Sequence, residues 1–205
     1  MEFFDVVKSR RSVRKFSSGD VSGEDIKKMI QAADIAPSGS NRKNWHFIIV
    51  RSKNVREALH KAVTDKIDGL LSVMGSKKAK EEFGAYSRYF TFFSGAPVVI
   101  AVVAKPYDST TARILKTYDG NVSYSSSAGI QGVAAAIENM LLTAAALGLG
   151  ACWMTGPLIA KDGLEKVLGI KAPNELAALI PLGYPVKEPI PNEFPESIEN
   201  ITTEL

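Results

Sequence analysis

The feature that most constrains this chain is its longest apolar stretch, AGIQGVAAAIENMLLTAAALGLG (Ala128–Gly150). It is nearly long enough to cross a bilayer as a helix. Gln131, Glu138 and Asn139 interrupt it, however, and no charged residues flank it. We therefore interpret it as a helix buried in protein and expect no membrane partner.

The same stretch also predicts where this helix ends and what must cover it. We expect a helix over roughly Ser127–Leu147 that stops at Gly148. Gln131 and Glu138 are two turns apart and share one face, and the other faces are almost entirely apolar. A helix that is apolar nearly all round must be covered on most sides. In a chain of 205 residues, a subunit interface is an economical way to cover it.

Composition and charge exclude several classes of protein. With 45% hydrophobic and 23% charged residues, the chain has an ordinary globular composition and is expected to form one domain over residues 1–205. The net charge of +3 is too small to indicate a nucleic-acid partner. Cys152 is the one cysteine, which excludes an intrachain disulfide and fits a reducing, cytoplasmic environment. The N-terminal MEFFDVVKSR does not have the pattern of a signal peptide.

Short-range patterns predict alternating helices and strands, and thus a mixture of α and β structure. A proline-rich tail after Gly183 is expected to run extended over a surface. Residues 105–124 are predicted to be a loop or lid with at most a helical turn. The predicted helices cover a first segment ending near Ser9–Arg11, a second capped by Ser22, and residues 53–63, 77–93 and 161–168. The predicted strands are Trp45–Val50, Pro97–Ala104, Leu149–Met154 and Leu176–Gly183.

Positive charge is concentrated in RRSVRKF, which begins at Arg10. One interpretation is that these cations lie at the C-terminal end of a helix, where they complement its dipole. The other is an anion site, because guanidinium groups form forked bonds to phosphate and the Ser12 hydroxyl can add another. No basic stripe with interleaved aromatic residues extends the segment, which argues against nucleic acid. From this segment alone the two interpretations are equally supported.

Two further segments combine turn-forming and polar residues. APSGSN (Ala36–Asn41) is either a plain tight turn or a polar cradle for the rim of a planar heterocycle. WMTGP (Trp153–Pro157) follows an apolar strand at the end where α/β proteins often bind ligands. Thr155 and Gly156 there offer backbone N–H groups with little obstruction. Cys152 is expected to be an unreactive buried thiol.

Several common catalytic patterns are missing from the sequence. No G-x-G-x-x-G follows a predicted strand, and there is no Walker A motif. The two histidines, His46 and His60, belong to no recognisable motif, which argues against a His-based metal site and a Ser-His-Asp triad. We therefore predict neither a metal site nor a catalytic protein nucleophile.

Taken in order, five segments resemble the flavin-dependent nitroreductase family. They are RRSVRKF, AADIAPSGSNRKNWHFIIV, FFSGAPVVIAVV, AAIENMLLTAAALGLGACWMTGP and LIPLGYP. Each is weak by itself, and the ordered set is specific. The resemblance implies an α+β fold with a central, mostly antiparallel sheet surrounded by helices, and an intertwined homodimer that binds FMN at its interface. It also implies an oxidoreductase that takes electrons from NADH or NADPH and passes them to a small acceptor such as a nitroaromatic or a quinone.

The resemblance also implies which residues bind the cofactor. Arg10, Ser12 and Arg14 would hold the flavin phosphate, with Arg11 nearby. Thr155 and Gly156, preceded by Met154, would lie beside the reactive ring nitrogen, with the Thr155 N–H donating to it. The partner subunit would supply Pro37, Ser38, Ser40 and Asn41.

The chain departs from the family pattern in places, and other functions stay open. Lys43 and Asn44 replace the usual Gln-Pro, and Phe194 falls near the place of a basic tail residue that reaches the phosphate. Segments 66–90 and 105–124 match nothing in the family and are expected to shape the substrate pocket. Another flavin reaction, such as dehalogenation or flavin breakdown, is an alternative, as is a non-catalytic flavin-binding or storage protein.

Overall fold

A four-stranded antiparallel sheet lies at the centre of the molecule. The computed structural model describes residues 2–118 and 126–205. Within these ranges the strands are β1 (Trp45–Val50), β2 (Val98–Ala104), β3 (Gly150–Ala151) and β4 (Glu175–Gly183). Their order across the sheet is β1–β2–β4–β3, and each neighbouring pair is antiparallel.

Helices lie on both faces of this sheet. Short 3-10 segments connect several of them, at Gly39–Asn41, Arg88–Phe90, Phe92–Gly95, Gly156–Ala160 and Glu199–Ile201. The α-helices of the described ranges are α1 (Phe3–Ser9), α2 (Gly23–Asp34), α3 (Lys53–Val73), α4 (Lys77–Ser87), α5 (Thr110–Tyr118), α6 (Ala128–Ala146) and α7 (Lys161–Leu168). The predicted α+β architecture is therefore confirmed.

Strand β2 shows how the sheet divides the core. Ile100 and Val102 point to one face, where residues of α2 and α6 pack against them. Val99 and Ala101 point to the other face, where side chains of α3 and α7 pack. All four side chains are fully buried. The prediction that this uninterrupted apolar run forms a strand covered on both faces is therefore confirmed, and the sheet around it is antiparallel.

Two helix ends follow the local signals of the sequence. The Ser22 hydroxyl oxygen accepts a hydrogen bond of 3.0 Å from the backbone N–H of Asp25, which caps α2 as predicted. Gly169 ends α7 with a φ of 69°, a left-handed conformation that costs glycine little. Both boundaries are set by residues within the segment itself.

The predicted strand Leu149–Met154 forms only in part. Regular pairing with β4 is limited to β3, and it resumes as an isolated bridge between Met154 and Leu179. In between, the Cys152 N–H donates to the Pro181 carbonyl at 3.3 Å. Proline has no N–H with which to return that bond, so the ladder is interrupted at this pair.

Three other segments differ from the predictions. Helix α3 continues ten residues past the predicted end and finishes at Val73, because Ile67 is buried in the core under its extra turns. The helix predicted over 77–93 is regular only to Ser87 and continues as 3-10 turns. Residues 105–124 contain α5, a regular helix where we predicted at most one turn, and 119–124 lie outside the described residues.

Helix α6 matches the predicted long helix. Eight of its residues are buried, and six of these, among them Ile137 and Met140, pack in the core with α2 and the sheet. Its polar Asn139 is tied into the core, since the side-chain amide donates to the Ala32 carbonyl at 2.9 Å. Ile130, by contrast, is 55% exposed, so part of the apolar surface is left uncovered by the chain itself. Among the described helices none is long and apolar enough to span a membrane.

Candidate functional site

The arginine-rich segment leaves α1 and runs along the edge of the sheet. The chain becomes extended at Arg10, and Ser12 forms a parallel bridge to Ala151 of β3. The Val13 N–H donates to the Ala151 carbonyl at 3.0 Å, and the Val13 side chain packs on Gly150. A Cβ at Gly150 would come within 2.7 Å of Val13, so glycine permits this close approach. Because successive side chains of an extended segment point to opposite sides, Ser12 and Arg14 face outward.

The four predicted phosphate-binding residues line one cavity. Arg10, Arg11, Ser12 and Arg14 surround a space of about 300 Å³, together with Asn192 of the C-terminal tail. The three guanidinium groups give the cavity a strongly positive lining. None of their side chains donates to a carbonyl of α1 within the described ranges. The geometry therefore fits an anion site better than a simple cluster of cations at a helix end.

Each of these arginines has a partner within the chain. Arg14 Nη1 donates to the Ser12 carbonyl at 3.2 Å. Arg11 donates to the side-chain oxygen of Asn192. Arg10 Nε lies 3.7 Å from Oε1 of Glu138, which projects from α6. These contacts come from three different parts of the chain.

The segment Met154–Gly156 lies directly beside the arginines. Met154 is buried and anchored by reciprocal 3.0 Å hydrogen bonds with Leu179. Thr155 is exposed, and its backbone N–H has no partner within the described part of the chain. Arg14, Met154, Thr155 and Gly156 line a second cavity of about 330 Å³. The structure thus places the predicted phosphate-binding and ring-binding residues in adjoining cavities.

Aromatic side chains that the sequence argument did not single out form a wall of this second cavity. Phe90 packs on Gly156 so closely that a Cβ there would lie 2.4 Å from the ring. Tyr86 meets Phe90 edge to face at 5.4 Å between ring centroids. The i, i+3, i+4 spacing of Tyr86, Tyr89 and Phe90 was a usable signal, since it places the three on one helical face. The aromatic wall consists of Tyr86, Tyr89, Phe90, Phe92 and Trp153.

The polar turn at Pro37–Asn41 lies elsewhere in the chain. Ser38, Ser40 and their neighbours do not line either of the two cavities described above. A Cβ on Gly132 would meet Ser38 at 3.4 Å, which places the turn against the first half of α6. Ser40 and Asn41 have φ values of 54° and 52°, a left-handed conformation that is uncommon for residues other than glycine. Within one chain, this turn and the arginines therefore do not line the same cavity.

The C-terminal tail does reach the arginines, but through a different residue from the one expected. Asn192, not Phe194, lines the cavity, and its backbone N–H donates to the Lys8 carbonyl at 2.8 Å. Phe194 packs edge to face against Phe4, with the Lys8 ammonium 5.0 Å from the centre of its ring. The tail residue that lines the cavity is therefore Asn192, two positions before Phe194.

Cys152 lines the second cavity, next to Trp153 and Met154. Its side chain is buried as expected, and burial raises the pKa of the thiol, although Arg14, a hydrogen bond with Ser12, and Arg10 oppose that shift. The thiol therefore stays protonated at neutral pH. No group of three or more His, Cys, Asp or Glu residues in the described ranges is arranged to hold a metal ion.

Comparison with known proteins shows the family of this chain. A sequence model described as the nitroreductase family matches residues 7–184. The chain belongs to the nitroreductase family. Among curated nitroreductase relatives, it is 30% identical over 190 residues to the "Putative NADH dehydrogenase/NAD(P)H nitroreductase" of Archaeoglobus fulgidus, covering 91% of this chain and 87% of the relative. It is 31% identical over 196 residues to iodotyrosine deiodinase of Hydra vulgaris, covering 93% of this chain and 68% of the relative.

Solved nitroreductase-family structures share the fold. A BluB-like flavoprotein from Clostridium difficile 630 superposes with a TM-score of 0.87 at 33% identity, covering 100% of this chain and 99% of that one. Oxidized iodotyrosine deiodinase bound to FMN and 3-iodo-L-tyrosine superposes with a TM-score of 0.70 at 23% identity, covering 99% and 100%. The second likeness concerns the fold alone.

Proposed function

We propose that this nitroreductase-family protein is an FMN-dependent oxidoreductase that passes reducing equivalents from NADH or NADPH to a small organic acceptor, such as a nitroaromatic or a quinone. The observation that carries the proposal is the adjoining pair of cavities, one lined by guanidinium groups and the other by an unpartnered N–H and aromatic rings. The cofactor-binding residues in this proposal are Arg10, Arg11, Ser12, Arg14, Met154, Thr155 and Gly156 from one chain, and Pro37, Ser38, Ser40 and Asn41 from its partner.

The residues present fit FMN chemically. A phosphate monoester carries nearly two negative charges at neutral pH, and three arginines with a serine hydroxyl supply both the charge and the donors that it requires. The N–H of Thr155, which has no partner among the described residues, suits a ring nitrogen, and Gly156 adds no side chain beside it. The apolar, aromatic wall suits a planar ring system. Support also comes from a structure of the same fold that contains FMN.

The protein's part in the reaction is binding and electrostatics. When bound, FMN supplies the two-electron chemistry that couples NAD(P)H oxidation to reduction of the acceptor. Arg10, Ser12 and Arg14 would hold the phosphate end and so orient the cofactor. The N–H of Thr155 would serve as a hydrogen-bond donor to the ring. The aromatic wall keeps water from one side of the cavity and offers flat surfaces for an aromatic acceptor.

The visible spectrum of the purified protein tests this function. We expect an absorbing flavoprotein that is bleached by NADH or NADPH and regains its colour when a nitroaromatic or quinone is added. A protein that takes up no FMN after incubation with it contradicts the proposal. A bound flavin that neither nucleotide bleaches, under anaerobic conditions, points instead to a passive flavin-binding or storage protein.

Four of the eleven proposed contact residues would come from a second copy of the chain. Because the Pro37–Asn41 turn is remote from the arginines within one chain, a homodimer accounts for a complete site, and the exposed Ile130 on α6 offers it an apolar surface. Sedimentation at micromolar concentration tests this arrangement. A monomer that holds FMN at full affinity contradicts it.

Reductive dehalogenation is a second candidate, favoured by one observation. The relative from Hydra vulgaris is named iodotyrosine deiodinase and matches nearly the whole chain. The aromatic wall also suits an iodinated phenol. Comparing 3-iodotyrosine with a nitroaromatic as oxidant of the reduced protein separates the candidates. Iodide release with faster reoxidation by iodotyrosine favours dehalogenation, and reoxidation by the nitroaromatic alone favours the first proposal.

A further inference from the structure

The cavity behind the arginines contains one acidic side chain whose position calls for an explanation. A space of about 170 Å³ extends from the arginines towards α6. Among the described residues that line it, Glu138 is the one with a negative charge, and a carboxylate repels phosphate. A carboxylate does not bind an anion directly. Its presence at an anion site is explained if it acts on another residue of the site.

The contact that Glu138 makes identifies that task. Its Oε1 lies 3.7 Å from Nε of Arg10, and both side chains are partly shielded, with 46% and 33% of their surface exposed. The residues one turn before and after it on α6, Ala134 and Leu142, offer no local partner. Gln131, two turns earlier on the same face, instead bonds back to Ser127 at 2.7 Å. The carboxylate therefore pairs across the structure with an arginine 128 residues away in sequence.

Glu138 contacts only the Nε side of the Arg10 guanidinium group. A guanidinium group presents five N–H donors, and the Nε–H lies at the side-chain end of the group. A partner on that side leaves both terminal nitrogens available as the fork that grips phosphate. Without a partner, the long side chain samples many rotamers and loses that freedom only when the anion binds.

Charge balance is consistent with this arrangement. Counted over the two cavities beside the arginines, the three arginines and Glu138 have a formal charge of +2. A phosphate monoester carries about −1.5 to −2 at neutral pH. The carboxylate therefore orients a cation and still leaves enough positive charge for the ligand.

We propose that Glu138 is a positioning residue that holds the Arg10 guanidinium in the orientation that recognises the flavin phosphate. This inference rests on the proposed FMN function and adds a residue to it. Because Glu138 acts through Arg10, its effect concerns the phosphate and not the ring. It should therefore distinguish FMN from riboflavin, which lacks the phosphate.

Equilibrium titration of the full chain with FMN and with riboflavin tests the proposal. We expect Glu138→Ala to weaken FMN binding about three- to fivefold, the range of a partly exposed ion pair, and to leave riboflavin binding unchanged. In an Arg10→Ala background, the same substitution should have no further effect on FMN. Glu188→Ala is the matched control, because that exposed carboxylate lines a neighbouring cavity without contacting Arg10.

The outcomes separate this inference from the proposed function. Equal or tighter FMN binding by Glu138→Ala overturns the positioning role, as does an equal loss of FMN and riboflavin or an effect matched by Glu188→Ala. If the alanine variant does not fold, the near-isosteric Glu138→Gln takes its place, and FMN binding at or above the wild-type level overturns the role. Wild-type protein that binds riboflavin and FMN equally overturns the inference alone, and protein that binds neither overturns both proposals.

Discussion

Removal of Arg10 and Arg14 is the sharpest test of the proposed phosphate-binding cavity. Arg10 and Arg14 both line the space of about 300 Å³, and neither side chain is deeply buried. A charge-assisted hydrogen bond contributes about 1.5–3 kcal/mol, and partial exposure favours the lower end of that range. Since 1.4 kcal/mol is one decade of affinity, each alanine substitution should weaken FMN by about tenfold and the pair by about a hundredfold.

The assay compares two ligands and one control protein. Fluorescence titration with FMN and with riboflavin separates the phosphate from the ring, so the double variant should lose its preference for FMN and keep its riboflavin affinity. Raising the salt concentration should weaken FMN binding to the wild type more than to the double variant, because fewer exposed charges remain to be screened. Arg113→Ala is the control, since it removes one exposed guanidinium on α5 away from the cavity.

Two results would refute the reasoning. Unchanged FMN affinity in the Arg10→Ala, Arg14→Ala protein means that these side chains do not hold the phosphate. An equal loss of riboflavin affinity means that the substitutions act by disturbing the fold, which thermal denaturation of both variants would reveal independently.

Three further predictions concern the tail, the aromatic wall and acid stability. Phe194→Arg should leave FMN affinity unchanged in titration, because residue 194 lies against α1 and not in the cavity; a clear gain would restore our original alignment of the tail. Gly156→Ala should lower the free energy of unfolding by about 1–3 kcal/mol, measured in urea, because the new methyl group displaces the Phe90 ring; an unchanged midpoint would contradict that contact. The hydrogen bond from Lys43 lowers the pKa of Asp34 below its ordinary value of 3.8, so this carboxylate stabilises the fold above that value and loses its effect as pH falls through the lowered pKa. In Asp34→Asn, the free energy of unfolding should therefore fall less steeply as the pH is lowered, by well under 1 kcal/mol because the Asp34–Lys43 pair is exposed. An unchanged dependence of this free energy on pH would contradict a stabilising role for the pair.

Features that a segment determines by itself were predictable from the sequence. The Ser22 cap, the glycine that ends α7 and the buried run of β2 depend on residues a few positions apart. The strand after Leu149 was predicted too long because its ladder is broken by Pro181, a residue that only the folded sheet brings alongside. Helix α3 was predicted to end at residue 63, whereas it continues to Val73, because packing of its later turns outweighs the cost of about 1 kcal/mol that Gly69 imposes on a helix.

The same distinction applies to the candidate site. The arginine-rich segment could be singled out because four of the predicted contacts lie within five consecutive residues, and in the structure these four residues line one cavity. Their partners could not be found in this way. Glu138 and Asn192 are 128 and 181 residues away from the arginines that they contact, and no periodicity links them. Three of the five residues of the aromatic wall, Tyr86, Tyr89 and Phe90, lie in the segment 66–90 that matched no family motif, although their helical spacing was visible.

Helix α6 explains why a single chain holds the predicted contacts apart. The polar turn packs near Gly132, whereas the cavity behind the arginines is lined by Glu138, Leu141 and Ala145 of the same helix. At 1.5 Å per residue, these positions lie about 9 to 20 Å further along the axis. A separation of this size is consistent with the proposal that the two groups of a complete site come from different copies of the chain. An antiparallel second copy of α6 would bring the turn of one chain towards the arginines of the other. The apolar surface that this helix leaves uncovered is then the expected consequence of a site built across two chains.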